Sequence, residues 1–187
     1  MIFKNHSNFK DQHAFLGPSK YHWIRYDEDK LIESYNSYIA AQKGIALHAF
    51  ACQCITLGQK LPKSQKTINM YVNDAIGFKM TPEQTLVYSE NCFGTADTIS
   101  FRDMFLRIHD LKTGETPAHM EQLYVYAAIF CLEYKLSPSD INIELRLYQY
   151  DNYEIEKPTE EIILPIMNKI ISFDKRITKL KLGEEGL

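Results

Sequence analysis

The sequence lacks the excess of basic residues that marks many nucleic-acid-binding proteins. Among its 187 residues, 21 are Lys or Arg and 24 are Asp or Glu, which gives a formal net charge of −3. A strongly basic chain would have indicated a nucleic-acid partner by charge alone. The charge still leaves room for a nucleic-acid enzyme, because a basic groove can lie on an acidic protein and bound cations add positive charge at a site.

Cysteines are few, and their spacing is not that of a structural metal site. The chain has four cysteines, of which only Cys52 and Cys54 are close, in a C-x-C spacing within a segment of helical periodicity. Structural zinc sites use paired spacings such as C-x-x-C. We therefore expect reduced, partly buried thiols, as is typical of cytoplasmic proteins.

Long apolar runs and linkers of low complexity are also missing. The N-terminal segment MIFKNHSNFKDQHAF has no apolar stretch of the kind found in signal peptides. No run approaches the roughly 20 apolar residues that cross a bilayer, so we expect no membrane partner. The 8 glycines and 7 prolines are scattered, which predicts one domain over residues 1–187. Together these absences favour a cytoplasmic protein.

What the sequence does contain is a change from helical to alternating periodicity and back. Helices are predicted over 27–62, with a break at Gly44, and over 64–78, 117–137 and 159–180. Thr159 is the expected N-cap of the last helix, and Pro165 the expected kink within it. Strands are predicted over 84–94, 95–103 and 104–114, followed by a strand or hairpin over 141–157.

The order of these elements predicts an α/β (or α+β) domain. The first three strands are expected to be joined by turns at Gly94 and around Asp103, and the hairpin to turn at Asp151-Asn152. Helices precede, separate and follow these strands, so they are available to cover the sheet. We therefore expect a central mixed sheet of about four to five strands flanked by helices.

Two acids are expected to meet on the second and third strands. Asp97 and Asp110 lie six and seven positions from Asp103, so an antiparallel pair turning there places them nearly opposite each other. Facing carboxylates repel unless a cation lies between them. Mg²⁺ prefers such oxygen ligands, and an imidazole from His48 would make Mn²⁺ acceptable as well.

Lys112 shares a strand face with Asp110, because side chains two apart in a strand point the same way. A charged lysine cannot bind a cation, but it can stabilise the negative charge that develops on phosphorus. The combination fits metal-assisted hydrolysis of a phosphodiester.

Each of these features also has a simpler interpretation. His48 fits an ordinary core or surface residue, and Asp110-Lys112 fits an exposed ion pair worth about 0–1 kcal/mol. A structural domain of this kind would hold the carboxylates of Asp97 and Asp110 far apart. The apolar sequence FLRIHDLK around Asp110 favours a site, since unpaired charges on a central strand are costly.

The polar residues as a series resemble the motifs of RecB-type nucleases in the PD-(D/E)XK superfamily. The matching motifs are Gly44-x-x-x-His48, Gly94-x-x-Asp97, Asp110-Leu111-Lys112-Thr113-Gly114 and Gln122-x-x-x-Tyr126. The resemblance implies a restriction-endonuclease-like core of helix, three strands, helix and strand. Residues 1–43 would be an N-terminal extension that packs on this core.

The resemblance also implies roles for individual residues. His48, Asp97, Asp110 and the backbone carbonyl of Leu111 would bind Mg²⁺ or Mn²⁺. Lys112 would be the catalytic lysine, with Asp97 and Asp110 counted among the catalytic residues as well. Gln122 and Tyr126 would complete the catalytic set and position the DNA backbone or the lysine. Glu90 lies where some relatives carry another acid.

The activity implied is that of a deoxyribonuclease, expected to be an exonuclease in recombination, repair or phage DNA metabolism. The resemblance also implies the cytoplasm of a bacterium or of a phage-infected host. Its partners would be single-stranded DNA or duplex ends, a second copy of the chain, and a recombination or replication protein. Some relatives hold an iron–sulfur cluster on one cysteine before the core and three after it. No cysteine here precedes Cys52 or follows Cys131, so no such cluster is expected.

Contacts to DNA are expected outside the motifs too. The segment GPSKYHWI resembles a Trp-containing segment of some phage-encoded members, and Trp23 could stack on a base while Lys20 and Arg25 contact phosphates. A basic rim could also come from the last helix, through Lys175, Arg176, Lys179 and Lys181, although a solvated helix face explains these residues equally well. The alternative function is a non-catalytic binding protein on a nuclease-like fold, such as a phage inhibitor of a host defence system.

Overall fold

The structure is a computed structural model that describes residues 4–10 and 12–183. The chain divides into two compact units, Met1–Lys43 and Gly44–Leu187. In the first unit, short 3₁₀ helices cover Ser7–Phe9 and Pro18–Arg25. The Phe15 ring packs edge-on against Tyr35, with ring centroids 5.1 Å apart. The expected packing of residues 1–43 on the core stays a prediction.

Four long helices and five strands make up the rest of the described chain, and they confirm the predicted fold class of a mixed sheet flanked by helices. The helices are α1 (Glu28–Leu57), α2 (Thr67–Gly77), α3 (Glu121–Tyr134) and α4 (Glu160–Leu182). The strands are β1 (Thr81–Ser89), β2 (Cys92–Arg102), β3 (Phe105–Leu111), β4 (Asn142–Gln149) and β5 (Asn152–Glu156). Among the described residues, no helix is both long and apolar enough to cross a membrane.

The five strands follow one another across a single sheet in chain order. β1, β2 and β3 form an antiparallel meander, β3 and β4 are parallel, and β4 and β5 form an antiparallel hairpin. Parallel neighbours need a crossover connection, and α3 lies between β3 and β4 in the chain and provides it. This is the order of helix, three strands, helix and strand that the resemblance implied.

Of the predicted turns, the one around Asp103 is confirmed and the one at Gly94 is wrong. The hairpin turn lies at Tyr150-Asp151, one residue before the predicted Asp151-Asn152. Asp103 and Met104 both have positive φ, near 50° and 57°, as in the tight turns that suit the twist of a hairpin. The β1–β2 turn instead lies at Glu90-Asn91, and Gly94 belongs to β2. Gly94 accommodates the Tyr126 ring, because a Cβ there would lie 3.0 Å from Tyr126 Cε1.

The predicted helix break at Gly44 is also wrong, because α1 continues through that residue. Glycine costs an exposed helix about 1 kcal/mol relative to alanine, so its presence mid-helix calls for a reason. Gly44 is buried, and a Cβ there would lie only 2.7 Å from the Thr113 Oγ1. The glycine therefore allows α1 to approach the end of β3 closely.

The two faces of the sheet carry separate apolar cores. On β3, Leu106 and Ile108 pack with residues of α3 and α4, whereas Leu111 packs with residues of α1 and α2. Because side chains alternate along a strand, Asp110 shares the face of Leu106 and Ile108. The motif residues of β3 therefore lie at the end of the strand, next to both helical layers.

α3 begins later than predicted, at Glu121 instead of near Pro117. The preceding loop is held by Gln149 of β4, whose Nε2 donates to the carbonyls of Gly114 and Thr116 at 2.9 and 2.8 Å. These bonds favour an irregular loop over a further helical turn. At α4, Thr159 is the N-cap residue as predicted, and Pro165 lies inside the helix.

His109, next to Asp110, is fully buried on the opposite face of the sheet. Its ring lies perpendicular to Phe78 with centroids 5.8 Å apart, and its Nδ1 is 3.5 Å from the Tyr148 hydroxyl. Its Nε2 makes no hydrogen bond among the described residues. Burial, helped by the positive charges of Arg146 and Arg107, holds the pKa of His109 well below its ordinary 6.5. These contacts agree with a structural role.

Acid is therefore expected to destabilise the protein through His109. A histidine with a lowered pKa in the folded state contributes stability above pH 6.5 that is lost as pH falls below 6.5. Between pH 7.5 and 5.5, the wild-type protein should lose about 1.4 kcal/mol more unfolding free energy than the His109→Leu variant. Urea unfolding at both pH values measures this difference, and equal losses in the two proteins would contradict the prediction.

Candidate metal centre

Asp97 and Glu83 face each other where the pairing of β1 with β2 is interrupted. The register places Glu83 opposite Asp97, yet this position is skipped while its neighbours on both sides are paired. Glu83 has a φ of 51°, in the left-handed region that non-glycine residues seldom occupy. The edge strand thus bends locally at an acid that lies beside the predicted metal ligand.

On its other side, Asp97 bonds to the end of β3. The pairing of β2 with β3 ends at Thr98 and His109, and one further step of the same register brings Asp97 to Asp110. In place of a backbone carbonyl, the Asp97 Oδ2 accepts the hydrogen bond of the Leu111 N–H at 2.8 Å. Asp97 and Asp110 are therefore neighbours across the sheet, as the position of the Asp103 turn predicted.

His48, from α1, joins Asp97 and Glu83 in one cluster. The His48 Nδ1 is 3.5 Å from the Asp97 Oδ2. One ligand atom each from His48, Glu83 and Asp97 lies within 4.8 Å of the other two, close enough to hold a metal ion. The pKa of His48 is raised, mainly by its hydrogen bond to Asp97. Partial burial, and then the charge of Asp97, raise the pKa of Glu83.

Asp110 lies outside this cluster and pairs with Lys112. The Lys112 Nζ is 3.2 Å from the Asp110 Oδ1 and 2.9 Å from the Oδ2. Asp110 is only 2% exposed, and its Oδ2 forms no well-directed hydrogen bond. Burial raises the pKa of Asp110 and the charge of Asp97 raises it further, while Lys112 acts in the opposite direction. Lys112 therefore offsets only part of the negative charge of the facing carboxylates of Asp97 and Asp110.

Gln122 and Tyr126 of α3 hold the Lys112 side chain in place. The Lys112 Nζ donates to the Gln122 Oε1 at 2.8 Å, and the Gln122 Nε2 donates to the Tyr126 hydroxyl at 3.4 Å. The Tyr126 hydroxyl in turn donates to the Thr95 carbonyl of β2 at 2.7 Å. The structure therefore brings both motif residues of α3 to the lysine, in a chain of bonds that ends on the sheet.

An open cleft of about 550 Å³ borders Lys112 and the end of β3. Its walls come from α1, the start of α2, the loop after β3 and the β4–β5 turn. Lys66 and the exposed Tyr150 are among its lining residues. The acids Glu115 and Asp151 also line it.

The other residues expected to contact DNA lie away from these motifs in the chain. Lys20, Trp23 and Arg25 belong to the helix Pro18–Arg25 of the first unit, where the Trp23 Nε1 donates to the Gly17 carbonyl at 3.2 Å. On α4, Lys181 bonds to Asn91. Contact of these residues with DNA stays a prediction.

Glu83 is the acid that the sequence analysis missed. The first strand was predicted to begin at Gln84 and to end at Gly94, which left Glu83 outside the sheet. A turn at Glu90-Asn91 alone would place Glu83 opposite Thr98, and the register shift between Val87 and Ser89 moves it opposite Asp97. An Asn in a polar pair is a common turn signal that would have brought Glu83 into the strand, but it would not have given this register. Glu90 itself is exposed in the turn.

No family model, curated protein or solved structure matches this chain. The resemblance to RecB-type nucleases therefore depends on the motif residues and on the way the fold groups them.

Proposed function

We propose that this protein is a metal-dependent deoxyribonuclease that hydrolyses phosphodiester bonds. The observation that carries the proposal is the position of Lys112. Its ammonium group is held between Asp110 and Gln122. The residue before it, Leu111, donates its backbone N–H to Asp97 of the candidate metal centre. A fixed cation next to a site for a second, divalent cation suits a reaction that develops negative charge on phosphorus.

The residues present fit a divalent ion. His48 and Asp97 belong both to the ligand set that the resemblance implies and to the cluster that the structure forms. Carboxylates with one imidazole suit Mn²⁺ and are acceptable to Mg²⁺. A cation on Asp97 would also relieve the repulsion that raises the pKa of Asp110. When bound, the ion would supply Lewis-acid polarisation of a phosphoryl oxygen.

The protein's own residues would position and stabilise the reacting phosphate. Lys112 would place its positive charge against the oxygens that gain charge in the transition state. Gln122 and Tyr126 would keep the ammonium group in place, so that little reorganisation is needed during reaction. Asp110 would hold the ammonium group through contacts of both of its oxygens, at 3.2 and 2.9 Å.

The substrate that we propose is DNA, with hydrolysis starting at single-strand or duplex ends in recombination, repair or phage DNA metabolism. The cleft beside Lys112 supports this choice through the exposed aromatic ring of Tyr150, which lines it together with Lys66 and with the acids Glu115 and Asp151. Bases stack on aromatic rings regardless of sequence, as a nuclease acting along a strand requires.

The test is cleavage of end-labelled single-stranded and duplex DNA by the purified protein with Mg²⁺ or Mn²⁺. Asp97→Asn is expected to lower the cleavage rate by about 100-fold or more, because even residues that only support metal ligands account for about 10–100-fold. Glu161→Gln, which changes an exposed acid of α4, is the matched control and should cleave normally. Absence of cleavage by the wild-type protein, together with metal binding and a stable protein partner, would instead favour the non-catalytic binding protein.

A further inference from the structure

We propose that Glu83 is a ligand of the metal ion and that it completes the cluster formed by His48 and Asp97. The motif series of RecB-type nucleases, as it matches this chain, contains no residue at this position. This inference rests on the proposed function in taking the ion to be the catalytic one. Metal binding by Glu83 can be measured separately from any reaction.

The geometry favours Glu83 as the third ligand. His48, Glu83 and Asp97 each place one ligand atom within 4.8 Å of the other two, and Asp110 is not part of that group. The three residues come from α1, β1 and β2, so the ion would link a helix to two neighbouring strands. Glu83 is skipped in the β1–β2 pairing, so its backbone is not constrained by the regular ladder. Its positive φ sets the direction of its side chain.

Asp110 forms an ion pair with Lys112. Both of its oxygens lie within 3.2 Å of the Lys112 Nζ. Its buried Oδ2 nevertheless lacks a hydrogen bond, so the pair of acids Asp97 and Asp110 retains unsatisfied negative charge close to the cluster. A divalent ion held on the far side of Asp97 by Glu83 would offset this charge and leave the lysine pair intact.

The donor set indicates which ion is preferred. Mg²⁺ keeps several of its waters and is commonly bound through one or two carboxylates. An imidazole and two carboxylates displace more of these waters, and imidazole raises the affinity for Mn²⁺ in particular. We therefore expect the wild-type protein to bind Mn²⁺ more tightly than Mg²⁺, with Glu83 contributing to the affinity for both ions.

Titration of the full-length protein with Mn²⁺ in the absence of DNA, followed by electron paramagnetic resonance of the free ion, tests the assignment. Glu83→Gln is expected to weaken Mn²⁺ binding by more than about 10-fold. Glu83→Asp should lose less affinity, because it keeps the charge. Glu161→Gln, which changes an exposed acid of α4, is the control and should keep the wild-type affinity.

Thermal unfolding distinguishes loss of a ligand from loss of the fold. In EDTA, Glu83→Gln should unfold at the wild-type temperature or slightly above it, because the variant removes repulsion from Asp97. Added Mn²⁺ should then raise the unfolding temperature of the wild-type protein much more than that of the variant. Wild-type Mn²⁺ affinity in Glu83→Gln would overturn the assignment. A protein that binds Mn²⁺ through Glu83 but cleaves no DNA would refute the proposed nuclease activity and leave this inference standing.

Discussion

Lys112→Ala is expected to lower the rate of DNA cleavage by about 10²- to 10³-fold while Mn²⁺ binding remains close to that of the wild-type protein. The ammonium group is the only part of the motif that can add a fixed positive charge without occupying the metal site. It is held at 2.8 Å by Gln122 and at 2.9 Å by Asp110, so it needs no rearrangement before reaction. Single-turnover cleavage of end-labelled DNA, with Mn²⁺ affinity measured on the same samples, checks both halves of the prediction.

Lys112→Ala could also lose cleavage because the protein is less stable. Removal of Lys112 leaves Asp110 buried without its counter-charge, and breaking one partner of a buried ion pair costs about 3–5 kcal/mol. A second variant, Lys112→Met with Asp110→Asn, removes both charges and should fold with close to wild-type stability. It should still be inactive. Lys169→Ala, which changes an exposed lysine of α4 outside the predicted basic rim, serves as the control and should cleave normally. Wild-type cleavage by Lys112→Met with Asp110→Asn would show that the lysine takes no part in the reaction.

Much of the fold and part of the site could be predicted because the relevant signals are local. Alternating apolar residues on β3 placed Asp110 and Lys112 on one face, and the turn around Asp103 set the register that brings Asp97 to Asp110. The spacing of Gln122 and Tyr126 placed both on one face of α3, where they are joined by a hydrogen bond.

The errors come from residues whose role depends on a distant part of the chain. Gly44 and Gly94 were interpreted as a helix break and a turn, which is the usual local meaning of glycine. Both instead lie inside regular elements, where they let the side chains of Thr113 and Tyr126 approach. The resulting error in the β1–β2 register also hid Glu83. No local pattern identifies a partner so far away in the sequence.

The second large effect that we expect is that of Gly44→Ala on the stability of the protein. Alanine at this position should gain about 1 kcal/mol from helix propensity. Its Cβ would lie 2.7 Å from the Thr113 Oγ1, however, and overpacking of this kind costs about 1–3 kcal/mol. Threonine is branched at Cβ and relaxes poorly, so we expect Gly44→Ala to destabilise the protein in urea unfolding.

Thr113→Ala should reverse the sign of that effect. With Oγ1 removed, the nearest atom of residue 113 to the new methyl group is its Cβ at 4.0 Å, an ordinary contact. Gly44→Ala introduced into Thr113→Ala should therefore stabilise the protein by up to about 1 kcal/mol. Gly77→Ala, in α2 with no atom within 4 Å of the new methyl group, is the matched control and should not depend on Thr113.

The Gly44→Ala and Thr113→Ala variants should also change the affinity for Mn²⁺. His48 lies one helical turn after Gly44, so a shift of α1 away from Thr113 would also move the imidazole away from Asp97, from which it is now 3.5 Å distant. Gly44→Ala should weaken Mn²⁺ binding, and Thr113→Ala should restore it in the double variant. Destabilisation by Gly44→Ala that persists unchanged in the Thr113→Ala background would show that the glycine serves some other contact. If both stability and Mn²⁺ affinity recover together, the approach of α1 to β3 is what places His48 at the site.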